Sequence, residues 1–409
     1  MEAVRKGASG ALVSDPRLRE SAELASTAVI VVPDTLAALQ KLANAVRRES
    51  GSAVVAVTGS AGKSTTKEII AALLAARYKV FRNRGNLNNH IGLPLSLLEL
   101  RHRPDIGVFE LGMNHFGEIS ALVKIAEPEV RVWTNVGPAH LEFFGTVDAV
   151  AEAKAEILEG AERDALLVAN ADDDLVMRHA PDFAGRIRTF GVERPADVRA
   201  LAVRDLGIDG TAALVRTPIG EAEIRTALPG TANLSNVLAA IAVAIRFDIP
   251  LSDIVERAAG LKPVARRGEI LRLRRLTVVD DSYNSNPKAL SRALTMLAGE
   301  SRFPRRVAVL GEMLELGAAS ADLHRASGEE AARTGLAALI AVGGASARAL
   351  AEGAVQAGMP ASSVRYVEDS HKAVDAVLAA VRPGDLVFVK GSRGIGTEVV
   401  VDRLKAEFA

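Results

Sequence analysis

Residues 53–66 read Ala-Val-Val-Ala-Val-Thr-Gly-Ser-Ala-Gly-Lys-Ser-Thr-Thr, and few folds accept such a stretch. Val54 to Val57 are apolar and mostly β-branched, which predicts a short buried strand. Thr58 to Gly62 are small and glycine-bearing. Lys63, Ser64 and Thr65 open a helix whose apolar side runs through Ile69, Ile70, Leu73 and Leu74. A strand, a tight glycine turn and a helix N-terminus together make a phosphate site, because backbone N–H groups and the helix dipole converge on one anion. The usual spacing is G-x-x-x-x-G-K-[ST], with the lysine on the β- and γ-phosphates and the hydroxyl on Mg²⁺. Here Val57 stands at the first glycine position, leaving Thr-Gly-x-x-Gly-Lys-Ser-Thr. Gly59, Ser60, Ala61, Gly62, Lys63, Ser64 and Thr65 are therefore candidate nucleotide ligands. The bland alternative is an ordinary strand-to-helix turn.

At 409 residues the chain predicts two or three domains. Lys+Arg and Asp+Glu both number 50, so no global basic field holds nucleic acid or an anionic membrane. Aromatic residues make up 4%, too few for base-stacking platforms. With no cysteine, disulfides and thiolate metal sites are excluded. No apolar run approaches the ~18 residues that span a bilayer. The opening Met-Glu-Ala-Val-Arg-Lys-Gly lacks the apolar core of a signal peptide. The expectation is a cytoplasmic α/β protein without membrane insertion.

Ala11–Val13 and Val29–Val32 read as two strands with a polar helix between them, too little to bury a core alone. Pro33-Asp34-Thr35 starts a helix. Residues 84–94 form an asparagine-rich loop, Arg-Gly-Asn-Leu-Asn-Asn-His-Ile-Gly-Leu-Pro. Asn86, Asn88 and Asn89 suit either a left-handed turn cluster or hydrogen bonding to a polar substrate. Ile106–Phe109 is a second buried strand with Glu110 at its carboxyl end, where ligands gather in open α/β sheets. A carboxylate there is placed to hold Mg²⁺; otherwise it caps the next helix. His115 follows closely. A third strand, Val130–Val136, leads to His140. A helix over Ala149–Leu158 carries Lys154, which by itself reads as a solvated lysine. Residues 185–228 alternate short strands and turns, and Val237–Ile245 is apolar all round, as in a buried helix. Past Leu261-Lys262-Pro263, a hairpin (Glu269–Leu273, Leu276–Asp280) and strands at Val307–Gly311, Leu339–Gly343, Val364–Val367 and Leu386–Gly391 alternate with helices, as in a doubly wound parallel sheet.

Thr58-Gly-Ser-Ala-Gly-Lys-Ser-Thr, Glu110-Leu-Gly-Met-Asn-His, Pro138-Ala-His-Leu-Glu, Asp280-Asp-Ser-Tyr-Asn-Ser-Asn-Pro, Gly311-Glu-Met-Leu-Glu-Leu-Gly and Lys390-Gly-Ser-Arg together resemble the Mur ligases. The likeness runs from about Gly7 to the end. The Asp-Asp-Ser-Tyr-Asn and Gly-Asn-Leu-Asn-Asn-His-Ile-Gly-Leu-Pro segments resemble the branch that adds D-alanyl-D-alanine to UDP-N-acetylmuramoyl-tripeptide. The resemblance implies a cytoplasmic, monomeric enzyme of peptidoglycan synthesis using ATP and Mg²⁺ through an acyl phosphate. It implies three domains: residues 1–33 as part of a UDP-substrate domain, 34–262 as a P-loop-type ATPase domain, and 263–409 as a Rossmann-like domain.

Carried over residue by residue, the resemblance puts Gly59 to Thr65 on the ATP phosphates, and Ser64 with Glu110 on one Mg²⁺. His140 and Lys154 hold the other, with Lys154 as a carbamate. Asn236 meets adenine, Arg267 the γ-phosphate and Asp281 the ribose. Asn86, Asn88, Asn89, His115, Asn286, Lys390 and Arg393 face substrate, with Ser392 on the closing loop; His324 is a weaker candidate. Two positions depart from the family pattern: Ala232 stands where a histidine is common, and Arg266-Arg267 where Gly-Arg is usual. The family's N-terminal domain is longer than residues 1–33, which leads to the expectation of weakened UDP binding or a sequence entering that domain midway. Competing expectations are another amide ligase of the superfamily, such as folylpolyglutamate synthase, and an ATP-binding protein without ligase activity.

Overall fold

The computed structural model describes residues 2–20, 24 and 27–409. Near the N-terminus, β1 (Gly10–Val13) and β2 (Ala28–Val31) pair in parallel as a two-stranded sheet. A 3₁₀ turn at Pro16–Glu20 stands where a helix is expected between them, and part of that expected helix lies outside the described residues.

The central sheet has nine strands. In chain order they are β3 (Ala53–Thr58), β4 (Val80–Arg82), β5 (Ile106–Glu110), β6 (Val130–Trp133), β7 (Leu166–Asn170), β8 (Arg186–Gly191), β9 (Val198–Asp205), β10 (Thr211–Thr217) and β11 (Gly220–Thr226). Their spatial order is β11-β10-β9-β8-β7-β6-β3-β5-β4, parallel from β4 through β9 and antiparallel in the β9–β10–β11 meander. β3, β5, β6 and β7 lie mid-sheet with both faces covered, which is why they read as unbroken apolar runs rather than alternating ones. One face packs the helices Lys63–Leu74 and Gly230–Arg246. The other packs Thr35–Ser50, Gly92–Leu97, Glu118–Ala126 and Val147–Ala155.

The second sheet comprises β12 (Glu269–Arg272), β13 (Thr277–Asp281), β14 (Arg306–Gly311), β15 (Ala338–Val342), β16 (Val364–Val367) and β17 (Leu386–Lys390), in the order β12-β13-β17-β14-β15-β16. All neighbours are parallel except the β12–β13 hairpin.

Two expectations are corrected here. The strand at 130–136 ends at Trp133: the Thr134 N–H makes the last bond to β3, on the Thr58 carbonyl, and the Thr134 hydroxyl and Asn135 then engage the glycine turn at 59–62. The helix expected at 149–158 runs from Val147 to Ala155, then tightens to a 3₁₀ turn at Glu156–Leu158. That turn frees the Ile157 and Glu159 carbonyls to accept from the buried Arg131 guanidinium.

Candidate active site

The carboxyl ends of β3, β5 and β6 face those of β13 and β17 across a cleft of about 640 Å³. Its floor is the turn between β3 and the helix Lys63–Leu74. Gly59 has φ +146°, and a Cβ there would lie 2.0 Å from the Thr134 hydroxyl, so only glycine fits. The turn is held by the segment after β6. Asn135 accepts from the Ala61 N–H and donates to the Ala61 carbonyl, each at 3.0 Å; Thr134 Oγ1 donates to that carbonyl at 2.7 Å. The Ser60 N–H donates to the Asn135 carbonyl, and the Gly137 N–H to Ser60 Oγ. Val57, at the usual first glycine position, lies within β3 and is fully buried opposite Glu110 of β5. The departure therefore falls in the sheet and leaves the turn itself intact.

Lys63 folds back, its Nζ donating to the Gly59 carbonyl at 2.8 Å. Glu110, 4% exposed, accepts from Ser64 Oγ and from Asn88 Nδ2 at 2.8 Å. Burial pushes its carboxyl up. Lys63, the Ser64 hydroxyl, Arg267 and Asn88 outweigh burial and hold it below its ordinary value, so it stays an anion. Glu110 thus faces the cleft and does not cap the following helix.

Lys154 is 1% exposed, which overturns its reading as a solvated lysine. Desolvation, reinforced by the Lys63 charge and only partly opposed by Glu110, drops its ammonium well below the ordinary range. Lys63 is lowered as well, by burial first, with Arg267 adding to it against Glu110. His140 sits in the left-handed region at φ +57°, and its Nδ1 lies 2.6 Å from Glu315 Oε2, in the loop after β14. Among the described residues no three His, Cys, Asp or Glu side chains cluster as metal ligands. The Ser64 hydroxyl and Glu110 carboxylate form an oxygen pair suited to a hard cation sharing phosphate oxygens.

From the other side, register alone brings Asp281 and Lys390 together, as paired residues of β13 and β17. Lys390 Nζ donates to Asp281 Oδ2 at 2.6 Å and to the Asn284 carbonyl at 2.9 Å. Arg267 and Arg393 also line the cleft, as does Asn236, whose side chain packs against Gly62. A Cβ on Gly62 would lie 2.5 Å from the Asn236 Oδ1.

The asparagine loop divides its labour. All three asparagines line the cleft, and Asn88 also holds Glu110. Asn89 Oδ1 accepts from the Ile91 and Gly92 N–H groups, capping the helix Gly92–Leu97. None of the three has positive φ; only Gly85 in the loop does. Asn286 likewise caps Pro287–Gly299 through the Ala289 N–H, at the cleft edge. His115 is not in the cleft: its ring stacks on Phe143 at 5.1 Å and its side chain is 66% exposed. His324 is buried in its helix, accepting from the Met313 N–H and supporting the loop after β14.

Sequence reasoning missed Asn135, Asn83 and Tyr283. Asn83, fully buried, accepts from the Glu110 N–H, donates to the Leu87 carbonyl and takes Lys67 Nζ on its own carbonyl, tying the asparagine loop to β5. The available signal was a polar residue just past each of β4 and β6, where a strand reaches the ligand edge.

Residues 57–244 match the Mur ligase middle domain, and residues 266–393 match the Mur ligase glutamate ligase domain. The chain is 33% identical over 378 residues to the UDP-N-acetylmuramoyl-tripeptide–D-alanyl-D-alanine ligase of Bacillus subtilis, covering 92% of this chain and 81% of that protein. It superposes on MurF from Acinetobacter baumannii with a TM-score of 0.88 at 30% identity, covering 99% of this chain and 86% of the other. On the MurF ligase from Thermotoga maritima in complex with ADP the TM-score is 0.85 at 29% identity, covering 99% and 90%. The two matched segments contain the nucleotide cradle, the strand-end Glu110 and the second α/β sheet that faces them, and the chain belongs to the Mur ligase family.

Proposed function

We propose that this chain is an ATP-dependent amide ligase that joins D-alanyl-D-alanine to UDP-N-acetylmuramoyl-tripeptide in peptidoglycan synthesis. The observation that carries the reading is convergence. Lys63, Ser64, Glu110 and Lys154 meet at one sheet's edge, while Arg267, Asp281 and Lys390 face them from the other. A carboxylate oxygen of the tripeptide attacks the γ-phosphorus and ADP leaves, giving an acyl phosphate. The dipeptide amine then attacks the acyl carbon, loses a proton, and phosphate departs.

Phosphoryl transfer to a carboxylate needs positioning and positive charge more than covalent help. Gly59 to Thr65 cradle the phosphates, and Lys63 and Arg267 carry charge to the γ-phosphate. Asn236 and Asp281 take the rest of the nucleotide. Asn86, Lys390 and Arg393, which line the cleft, would face the reacting carboxylate and amine. Ser64 with Glu110 would hold one Mg²⁺, and His140 with a carbamylated Lys154 a second; bound Mg²⁺ supplies charge neutralisation on the phosphate oxygens. Lys154 as an amine does not fit a cation site, but its burial favours the neutral amine that reacts with CO₂. We also assign residues 1–33 to the UDP end of the substrate, 34–262 to the ATPase domain and 263–409 to the Rossmann-like domain. The same reading makes the chain a cytoplasmic monomer that takes no nucleic acid; the last of these is supported by its balanced charge. No helix among the described residues is long and apolar enough to cross a membrane.

The test is phosphate release with ATP, Mg²⁺, D-alanyl-D-alanine and UDP-muramoyl-tripeptides ending in lysine or diaminopimelate. Release that requires both peptide substrates is expected, and Lys63→Ala should cut it on the order of 10²–10³-fold. Release with a folyl substrate instead would favour the sister ligase. ATP binding without release on any of them would favour a non-catalytic ATP-binding protein.

A further inference from the structure

Three arginines, Arg267, Arg292 and Arg393, line the cleft, and two of them share a further feature. Among the described residues, neither Arg267 nor Arg393 forms a salt bridge. Their neighbour Arg266 is the contrast: it pairs with Glu398 at 3.2 Å and lies 3.8 Å from Asp402. What Arg267 and Arg393 share is one aromatic ring. The Arg267 guanidinium carbon lies 4.0 Å from the Tyr283 ring centroid, and that of Arg393 lies 5.6 Å from it. The three side chains come from three places: the domain boundary, the loop after β13 and the loop after β17. The Tyr283 N–H also donates to the Arg266 carbonyl at 3.1 Å, so ring and boundary segment are tied through the backbone. Among the described residues the Tyr283 hydroxyl makes no hydrogen bond, although the ring lines the cleft.

The electrostatic setting explains the choice of an aromatic. Arg267 lies within reach of the charges on Lys63, Glu110 and Asp281. A carboxylate dedicated to Arg267 would orient it but cancel the charge a phosphoryl group needs. A ring face attracts a guanidinium through its quadrupole and leaves the net positive charge intact. We propose that Tyr283 is a positioning residue that aims Arg267 at the terminal phosphate of ATP without neutralising its charge. This rests on the reading of Arg267 as a γ-phosphate group.

The test compares calorimetric binding of β,γ-methylene-ATP and of ADP, each with Mg²⁺, to the full chain and its Tyr283 variants. Muramoyl peptide is not needed, so failure of the ligase reading does not enter the outcome. Tyr283→Leu should weaken the ATP analogue by about tenfold, the range of a desolvated cation–π contact, and change ADP by less than about twofold. Tyr283→Phe should restore the analogue's affinity, since only the ring face acts. Retained ADP binding reports that the leucine variant is folded. Should it fail to fold, tetrafluorophenylalanine at position 283 keeps the shape and removes the negative ring face, and should reproduce the selective loss. Equal loss for analogue and ADP would mean a general scaffold and overturn the proposal. So would an unchanged analogue affinity in the leucine variant, or a phenylalanine variant as weak as leucine. A wild-type chain that binds neither nucleotide overturns the ATP reading and this proposal with it.

Discussion

Lys154 shows how much one side chain's setting changes its chemistry. A lysine in water is a cation, repelled by Mg²⁺; at 1% exposure beside Lys63, the neutral amine is favoured. On the proposed reading the neutral amine adds CO₂ with loss of a proton, and the carbamate so formed would present two oxygens and a negative charge. Lys154→Ala is therefore expected to lose most ligase activity, and short added carboxylates should restore part of it by filling the gap. Steady-state phosphate release with and without acetate checks this. Full activity of the alanine variant in CO₂-depleted buffer would leave Lys154 as a packing residue only.

At the scale of elements, one loop of the central sheet reaches into the core of the C-terminal sheet. Between β9 and β10 the chain makes a 3₁₀ turn at Gly207–Asp209, and Ile208, 2% exposed, inserts into the apolar cluster of the C-terminal sheet with Leu294 and Leu297. The Ile208 N–H donates to the buried Glu300 carboxylate at 3.0 Å; Arg302 bonds Glu300, and both Arg302 and Arg272 bond Asp209. The Arg302 hydrogen bond is the main cause holding Glu300 at about 2, against an ordinary 4.5. A depressed carboxylate contributes stability that is complete above its unfolded value and is lost as pH falls through its folded value. This joint should therefore weaken between about pH 4.5 and 2. Glu300→Gln keeps an acceptor for Ile208 but does not titrate in that range. Circular dichroism of acid unfolding should show a shallower slope for the glutamine variant in that window. Superimposable curves would show that the pair contributes nothing.

At the scale of the whole molecule, further contacts bridge the sheets near the cleft. Lys288 Nζ donates to the Val136 carbonyl at 2.8 Å and lies 3.4 Å from Asp173; His140 meets Glu315, a pairing that holds the Glu315 carboxyl below its ordinary value. Val136 adjoins Gly137, whose N–H bonds Ser60 of the phosphate turn, so Lys288 reads the nucleotide cradle from across the cleft. An acyl phosphate must be kept from water, and closing the two halves does that. Lys288→Ala combined with Glu315→Ala should loosen the nucleotide-free protein, giving a larger radius of gyration by small-angle scattering. ATP analogue with muramoyl substrate should bring that radius back toward wild type. Identical radii for variant and wild type without ligand would remove these contacts from any role in closure.

The local pattern of residues 53–66 was enough to read the strand, the turn and the helix, because each is dictated by neighbours in sequence: β-branched residues for β3, glycine at the positive φ of Gly59, and a Lys-Ser-Thr helix start. The alternation of strands and helices after residue 263 likewise declared a doubly wound sheet. What sequence could not decide was which way side chains point once distant elements meet. The burial of Lys154, the pairing of Asp281 with Lys390 by register and the exposure of His115 are of that kind. So are the plug at Ile208 and the ring of Tyr283 beneath two arginines. These depend on contacts between residues far apart in the chain, whose geometry and desolvation exist only after the sheets have packed.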